Sequence, residues 1–223
     1  MCTVVVRLAP RQPVRVLALR DELTSRAFDG PGEWWPAQPG VVGGRDRSAG
    51  GTWCASDLTS GATALVLNRP QKRTADAGAP SRGVLPLIAL EHGPDWPNEL
   101  DTAGMASFAL VLVAPELLRL WVYDGELLTS SDLPPGTHMV TSGGAEDGKA
   151  DRFLSRFGDG SWRAVLQEHV PEDDPTALVV RHEMDGLVFA TVFGQLIDSE
   201  PGRLHLEHSR TPWKAEGWSV QDY

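Results

Sequence analysis

"MCTVVVRLAPRQPVRVLALRDEL", residues 1–23, decides how the rest of the chain is read. Two runs rich in valine and leucine, Val4 to Leu8 and Val14 to Leu19, are separated by a segment holding Pro10 and Pro13. Short apolar runs bounded in this way predict two strands. Arg7 and Arg15 interrupt them where an outward-facing residue is expected. Cys2 precedes the first strand, and the second runs into three charges, Arg20, Asp21 and Glu22. Met1 stands before a small residue, the setting in which an initiator methionine is removed. Removal would leave Cys2 with a thiol and a free α-amino group, a nucleophile carrying its own general base.

Working outward, the stretch from Phe28 to Gly51 contains "GPGEWWPAQPG" and "VVGGRDRSAGG" and predicts loops and turns. Thr52 to Ser56 and Ala62 to Asn68 read as a strand pair, and residues 70–82 as a polar mobile loop. Gly83 to Leu90 reads as a short helix. Ala106 to Val113, Leu118 to Tyr123 and Glu126 to Thr129 read as strands, with "YDGE" as a tight turn. Glu146 to Val170 is the clearest helical region. Phe153, Leu154 and Phe157 mark one apolar face and Trp162, Val165 and Leu166 the next, with Gly158 and Gly160 dividing two helices. Ala177 to His182, Leu187 to Ile197 and Arg203 to His208 complete the strands. This order predicts an α+β fold, helices on a mainly antiparallel β system, as one domain over residues 1–223.

Composition excludes several functions. The net charge is −10 while the first 50 residues are net +2, so the remainder is strongly acidic and a poor partner for nucleic acid. Two cysteines, Cys2 and Cys54, make no disulfide framework and no C-x-x-C pair. Arg7, Arg11, Arg15 and Arg20 interrupt any apolar leader, and the stretch from Met105 to Pro115 is too short for a membrane span. A cytoplasmic protein is expected. "HLEH" places His205 and His208 on opposite faces of a strand, so no metal site is expected there. Cys54 reads as a small buried hydrophobe.

"MC" at the start, "LALRDEL" at 17–23, "GGRDRSAGGTWCA" at 43–55 and "LVLNRP" at 65–70 occur in one order with short gaps. As an ordered set they resemble the Transport and Golgi organization protein 2 family, also called the NRDE family after an Asn-Arg-Asp-Glu motif. The resemblance implies an Ntn-hydrolase-like (N-terminal-nucleophile) four-layer αββα sandwich with two mainly antiparallel sheets. It places Cys2 at the nucleophile position, Arg20 and Asp21 as the pair that holds it, and Asn68 as an oxyanion donor. Leu19 stands where the motif has Asn, and "VTSGGAED" at 140–147 has Gly143 or Gly144 where an Asn is expected.

The residue chemistry supports such a set. Arg20 beside Cys2 would favour thiolate, and Asp21 could orient the amino group as proton acceptor. Trp34, Trp35 and Trp53 read either as core anchors or as an apolar cleft wall, with Arg45 and Arg69 as further substrate-binding candidates. Glu22 reads as a salt-bridge partner. "GGRD" and "GGTW" read as turns that lay a loop across the site, lacking the spacing and Lys of a phosphate loop. Two functions follow. One is a cofactor-independent cysteine amidohydrolase or acyl transferase acting on a small amide or thioester. The other, implied by the resemblance, is a carrier of haem or acyl-CoA that uses the same cleft without chemistry.

Overall fold

In the computed structural model, described for residues 2–70, 75–95, 102, 104–144, 148–158, 160–168, 170–171 and 174–223, the opening valine-rich stretch forms the centre of a sheet. β1 (Thr3–Leu8) and β2 (Val14–Leu23) pair antiparallel, with Val4 opposite Ala18 and Arg7 opposite Arg15. Their side chains alternate between two apolar environments, so both faces are buried and the run is almost continuously hydrophobic. Val4, Val6, Val16 and Ala18 enter one cluster, while Val5, Leu17 and Leu19 enter another.

The next strands form a second sheet by simple succession: β3 (Phe28–Gly32), β4 (Val41–Asp46), β5 (Cys54–Asp57), β6 (Ala62–Asn68), β7 (Phe108–Ala114), β8 (Leu117–Tyr123) and β9 (Leu128–Asp132). β10 (Gly136–Thr141) crosses back to pair with β1. The last strands are β11 (Arg181–Met184), β12 (Leu187–Glu200), β13 (Arg203–Ser209) and β14 (Ser219–Asp222). They complete the first sheet in the order β10-β1-β2-β12-β13-β14, with β11 paired to β12. Helices are few and short: α1 (Leu85–His92), α2 (Lys149–Phe153) and α3 (Trp162–Leu166). The protein is mainly β, with two antiparallel sheets.

Three apolar clusters account for the packing. Val6, Val16, Ile197 and Leu206 of the first sheet meet Cys54, Leu65, Val111 and Leu118 of the second, which puts Cys54 in the core as expected. Leu85 and Ala89 of α1 lie with Leu110, Leu112 and Trp121. Phe153, Trp162, Val165 and Leu166 of α2 and α3 lie with Val5, Leu17 and Leu19. None of the described helices is long and apolar enough to cross a membrane.

The structure corrects the sequence reading at several points. Residues 28–51 hold β3 and β4, not loops alone. The "GGRD" glycines lie within β4 because the strand must pass close to its neighbours. A Cβ on Gly44 would stand 2.2 Å from the Trp53 ring. Gly51, in the following loop, approaches the backbone of Gly83 so closely that a Cβ would fall 2.4 Å from its carbonyl. These glycines serve close approach as well as turning. Ala177 to His182 is a strand only from Arg181. Leu178 packs under the helices, while Val180 is held by Thr191, whose hydroxyl accepts its N–H at 3.0 Å. β10 and β14 lack a strong apolar pattern and went unpredicted; each lies at an edge of its sheet. The expected helical region divides at the expected place, although parts of it, near Glu146 and at residues 159 and 169, lie outside the described residues. So does part of the loop expected at 70–82.

Candidate active site

β2 does not stop at Leu19. It carries Arg20, Asp21 and Glu22 onward as strand residues, because β12 continues to pair with it to Leu23. The register between β2 and β12 shifts between Thr191 and Phe193, a bulge opposite the Arg20–Asp21 step. Successive strand residues face opposite sides, so Arg20 and Asp21 enter two different environments.

Arg20 enters the space between the sheets. Its guanidinium lies 4.6 Å from the Trp53 ring centroid and 4.9 Å from that of Phe28, and Nη2 donates to Asp46 Oδ2 at 3.1 Å. Glu22 adds a contact at 3.5 Å, as its salt-bridge reading expected. Burial lowers the Arg20 pKa against the opposing charges of Glu22 and Asp46. Asp46 also accepts two hydrogen bonds from Arg26 and two from the backbone N–H groups of Ser48 and Ala49. Burial raises its pKa, but the Arg26 and backbone donors outweigh this and hold the carboxyl below its ordinary range.

Asp21 is buried on the other face. The Thr191 hydroxyl donates to its Oδ1 at 2.7 Å. Desolvation raises the pKa of Asp21, and the charge of Lys149 acts in the opposite direction. Lys149, at the start of α2, is fully buried and donates from Nζ to Thr3 Oγ1 at 3.3 Å. Sequence reasoning missed both Lys149 and Thr191. Neither sits in a motif, and only the fold brings them to Asp21 from 128 and 170 residues away in the chain.

Cys2 lies at the start of β1. Its Sγ is 3.7 Å from the Asp21 carbonyl oxygen, and its own carbonyl accepts the Ser142 N–H at 3.1 Å. Burial, and then the charge of Asp21, push the thiol up to about 11. Arg20 does favour thiolate, as expected, but its charge lowers the pKa by less than burial raises it, so the net shift is upward.

Two cavities meet at Cys2, Asp21 and Asn68. One, of about 120 Å³, extends over Arg20, Trp53, Thr52 and Arg82. The other, of about 280 Å³, extends over Arg69, Pro70, Ser142 and Phe189. Asn68 ends β6, and its amide makes no hydrogen bond among the described residues. The structure therefore brings together Cys2, Arg20, Asp21, Asn68, Trp53 and Arg69. It places Trp34, Trp35 and Arg45 elsewhere. Arg45 pairs with Asp29 at 2.7 Å and stacks on Trp34 at 4.6 Å, the Trp34 indole donates to the Gly30 carbonyl, and that of Trp35 to the Gly50 carbonyl. None of the three lines either cavity.

Away from the cleft, His205 pairs with Asp222 and His208 stacks on Phe193. Among the described residues no group of three or more His, Cys, Asp and Glu is placed to hold a metal ion.

Two stacked antiparallel sheets, with a cysteine opening a central strand beside a buried Arg-Asp step, define the class of this protein. A model of the family described as Transport and Golgi organisation 2 matches residues 1–179, and the chain belongs to that family. No curated protein matches the chain. The matched segment ends before β12, although Thr191 and Phe189 of that strand complete the surroundings of Cys2.

Proposed function

We propose that this protein is a cysteine-nucleophile hydrolase or acyl transferase of small amides or thioesters, built on an Ntn-hydrolase-like αββα layering. The three apolar clusters support the layering: one between the sheets, one beneath α1, and one beneath α2 and α3. The observation that carries the chemical reading is that Cys2, Asp21 and Asn68 line both cavities. A carbonyl placed where the cavities meet would lie beside both the thiol and an unengaged amide donor.

Removal of Met1 would free the Cys2 amine. That amine takes the thiol proton as Sγ bonds to the carbonyl carbon and the carbonyl electron pair moves onto oxygen. The oxyanion accepts hydrogen bonds from Asn68 and backbone N–H groups, where loss of one donor typically costs about 3 kcal/mol. Collapse expels the amine or thiol, which takes the proton from the α-ammonium group. Water, or an acceptor amine in the transferase case, then cleaves the Cys2 thioester and restores the thiol. Arg20 and Asp21 act as positioning residues, Arg20 through Asp46 and Asp21 through Thr191.

The test is turnover of short acyl amides and thioesters by the processed chain, with intact mass spectrometry to establish loss of Met1. Cys2→Ala should abolish turnover and acyl-enzyme formation. Turnover that survives Cys2→Ala would overturn the reading.

One observation favours a second reading. A thiol pushed up to about 11 is a resting thiol at neutral pH, and the larger cavity beside it carries Phe189 and Pro70. A carrier of haem or acyl-CoA would use that cavity without a nucleophile. Unchanged haem or acyl-CoA binding in the Cys2→Ala chain, together with no turnover by wild type, would select the carrier.

A further inference from the structure

Four arginines stand around the Cys2 cleft, and their counter-charges are unequally shared. Arg20 and Arg26 both contact Asp46 and Glu22, so two cations face two carboxylates. Arg69 lies over Gly144 and forms no ion pair among the described residues. Arg82 is the informative one. Its Nη1 donates to the Ser107 carbonyl at 2.8 Å, and that carbonyl also accepts the Arg69 backbone N–H at 3.3 Å. Ser107 thereby ties Arg82 to the strand end that carries Asn68. The Nε and Nη2 edge of Arg82 has no partner among the described residues, and its side chain is half-buried against the cavity that holds Cys2.

Arginine cannot shed its proton in a protein, so desolvation leaves Arg82 a cation that its surroundings must compensate. The negative charge the protein itself offers Arg82 comes from Cys2 when ionised and then from Glu22, and Glu22 already serves Arg20 and Arg26. The Nε–Nη2 edge of a guanidinium presents two parallel donors that match the two oxygens of a carboxylate or phosphate. The close approach of Gly51 to Gly83 fixes the backbone next to Arg82, as does the Thr52 N–H, which donates to the Gly83 carbonyl at 2.8 Å. The guanidinium is therefore held in place before any ligand arrives.

A larger cavity of about 520 Å³ at the far end of β1 and β2 makes the contrast. It too is lined by arginines, but Arg15 holds Asp198 through two hydrogen bonds and Arg203 lies 3.6 Å from Glu200. Those cations are already neutralised.

We propose that Arg82 binds an anionic group, a carboxylate or a phosphate, carried by the small molecule that enters the Cys2 cleft. This assignment rests on the reading of that cleft as the substrate site, and it narrows the substrate to acyl compounds bearing a negative charge.

Iodoacetate and iodoacetamide test it, because they share a warhead and differ in one charge. Labelling of Cys2 is followed by peptide mass spectrometry at about pH 9.5, where a small thiolate fraction of the folded chain carries the reaction, in the folded and the urea-unfolded chain. The iodoacetate-to-iodoacetamide rate ratio at Cys2 should be about tenfold higher in the folded chain, and Arg82→Gln should bring it back to the unfolded value. Arg82→Lys, which keeps the charge and a donor for Ser107, should retain part of the preference. Competition at constant ionic strength separates the ligand sources: inorganic phosphate or propionate, whichever is recognised, should slow iodoacetamide labelling in wild type and not in Arg82→Gln. An equal ratio in the folded and unfolded wild-type chain would overturn the assignment without any variant, as would a preference that survives Arg82→Gln. The hydrolase reading fails separately, by absence of Cys2-dependent turnover, while the labelling ratio remains measurable.

Discussion

The Thr191 hydroxyl donates to Asp21 Oδ1 at 2.7 Å and accepts the Val180 N–H at 3.0 Å, so one side chain of β12 holds both the buried carboxylate and the chain entering β11. Asp21 is thus pinned where water is scarce, and its pKa is raised by that burial. The charge to which the proposed function gives a positioning role is a burden on the fold.

Asp21→Asn should relieve that burden while keeping the Thr191 hydrogen bond. A carboxyl whose folded pKa lies above its unfolded value stabilises the fold most when protonated, and this contribution is lost as pH rises through the folded pKa. The variant should therefore melt at or above the wild-type temperature at pH 7. The difference should shrink as the pH is lowered and wild-type Asp21 takes up its proton. Calorimetry across that range checks it, and a variant that melts well below wild type at pH 7 would contradict it.

Lys149→Met tests the charge that opposes the desolvation of Asp21. Its charge offsets part of the desolvation that dominates the raised Asp21 pKa, so removing it deepens the cost of the buried carboxylate, whereas Asp21→Asn removes that larger burden itself. Urea unfolding should show a loss of about 3 kcal/mol in the wild-type background and a distinctly smaller loss in Asp21→Asn. Equal losses in the two backgrounds would mean that Lys149 stabilises the fold through contacts other than Asp21.

Asp46→Asn addresses the opposite case. Its folded pKa is depressed, so its contribution is present above the unfolded value of 3.8 and is lost as pH falls through the lower folded value. The variant should lose about 2–3 kcal/mol at pH 7, since charge-assisted hydrogen bonds to Arg20 and Arg26 are weakened. The gap to wild type should close as the solution is taken well below pH 3.8.

Gly44→Ala should destabilise the protein by about 1–3 kcal/mol, because the new methyl collides with the Trp53 ring and rigid strands surround both. The displaced indole should also change its fluorescence, since Arg20 lies over that ring. An unshifted emission spectrum with wild-type stability would show that β4 can move aside.

Cys2 alkylation reports the thiol directly. In the chain that retains Met1, the rate should climb about tenfold per pH unit through the neutral and mildly alkaline range, as expected for a thiol near 11. Removal of Met1 should raise the rate at pH 7, because a cationic amine then stands on the same residue. Equal rates for the two forms would leave the amine without influence on the thiol.

Much of the fold was legible where the side chains repeat in an apolar pattern. Ala62–Asn68 was read to the residue, and Val14, Leu187 and Arg203 were each read as the first residue of a strand. The pattern failed where glycine replaced side-chain burial as the reason for a strand, as at Gly43 and Gly44 of β4. It failed again at Ala177 to Val180, where an apolar run packs beneath helices instead of joining a ladder. At the cleft, Cys2, Arg20, Asp21 and Asn68 could be named because they lie in short motifs near the start of the chain. Lys149, Thr191 and Arg82 carry no local pattern, and their meaning comes only from what the folded chain surrounds them with. The net shift of the Cys2 thiol was not legible for a related reason: a neighbouring arginine is visible in a sequence, and desolvation is not.

β12 pairs with β2 at ten register positions, from Leu23 opposite Phe189 to Val14 opposite Ser199, although the family match ends at residue 179. The recognisable part of the sequence therefore leaves out the strand that covers β2. A fragment cut at residue 179 would expose the full length of β2 as an open, largely apolar edge, the kind of template on which chains aggregate. Such a fragment should collect in inclusion bodies, and adding residues 180–223 back as a separate peptide is the route by which it could be rescued.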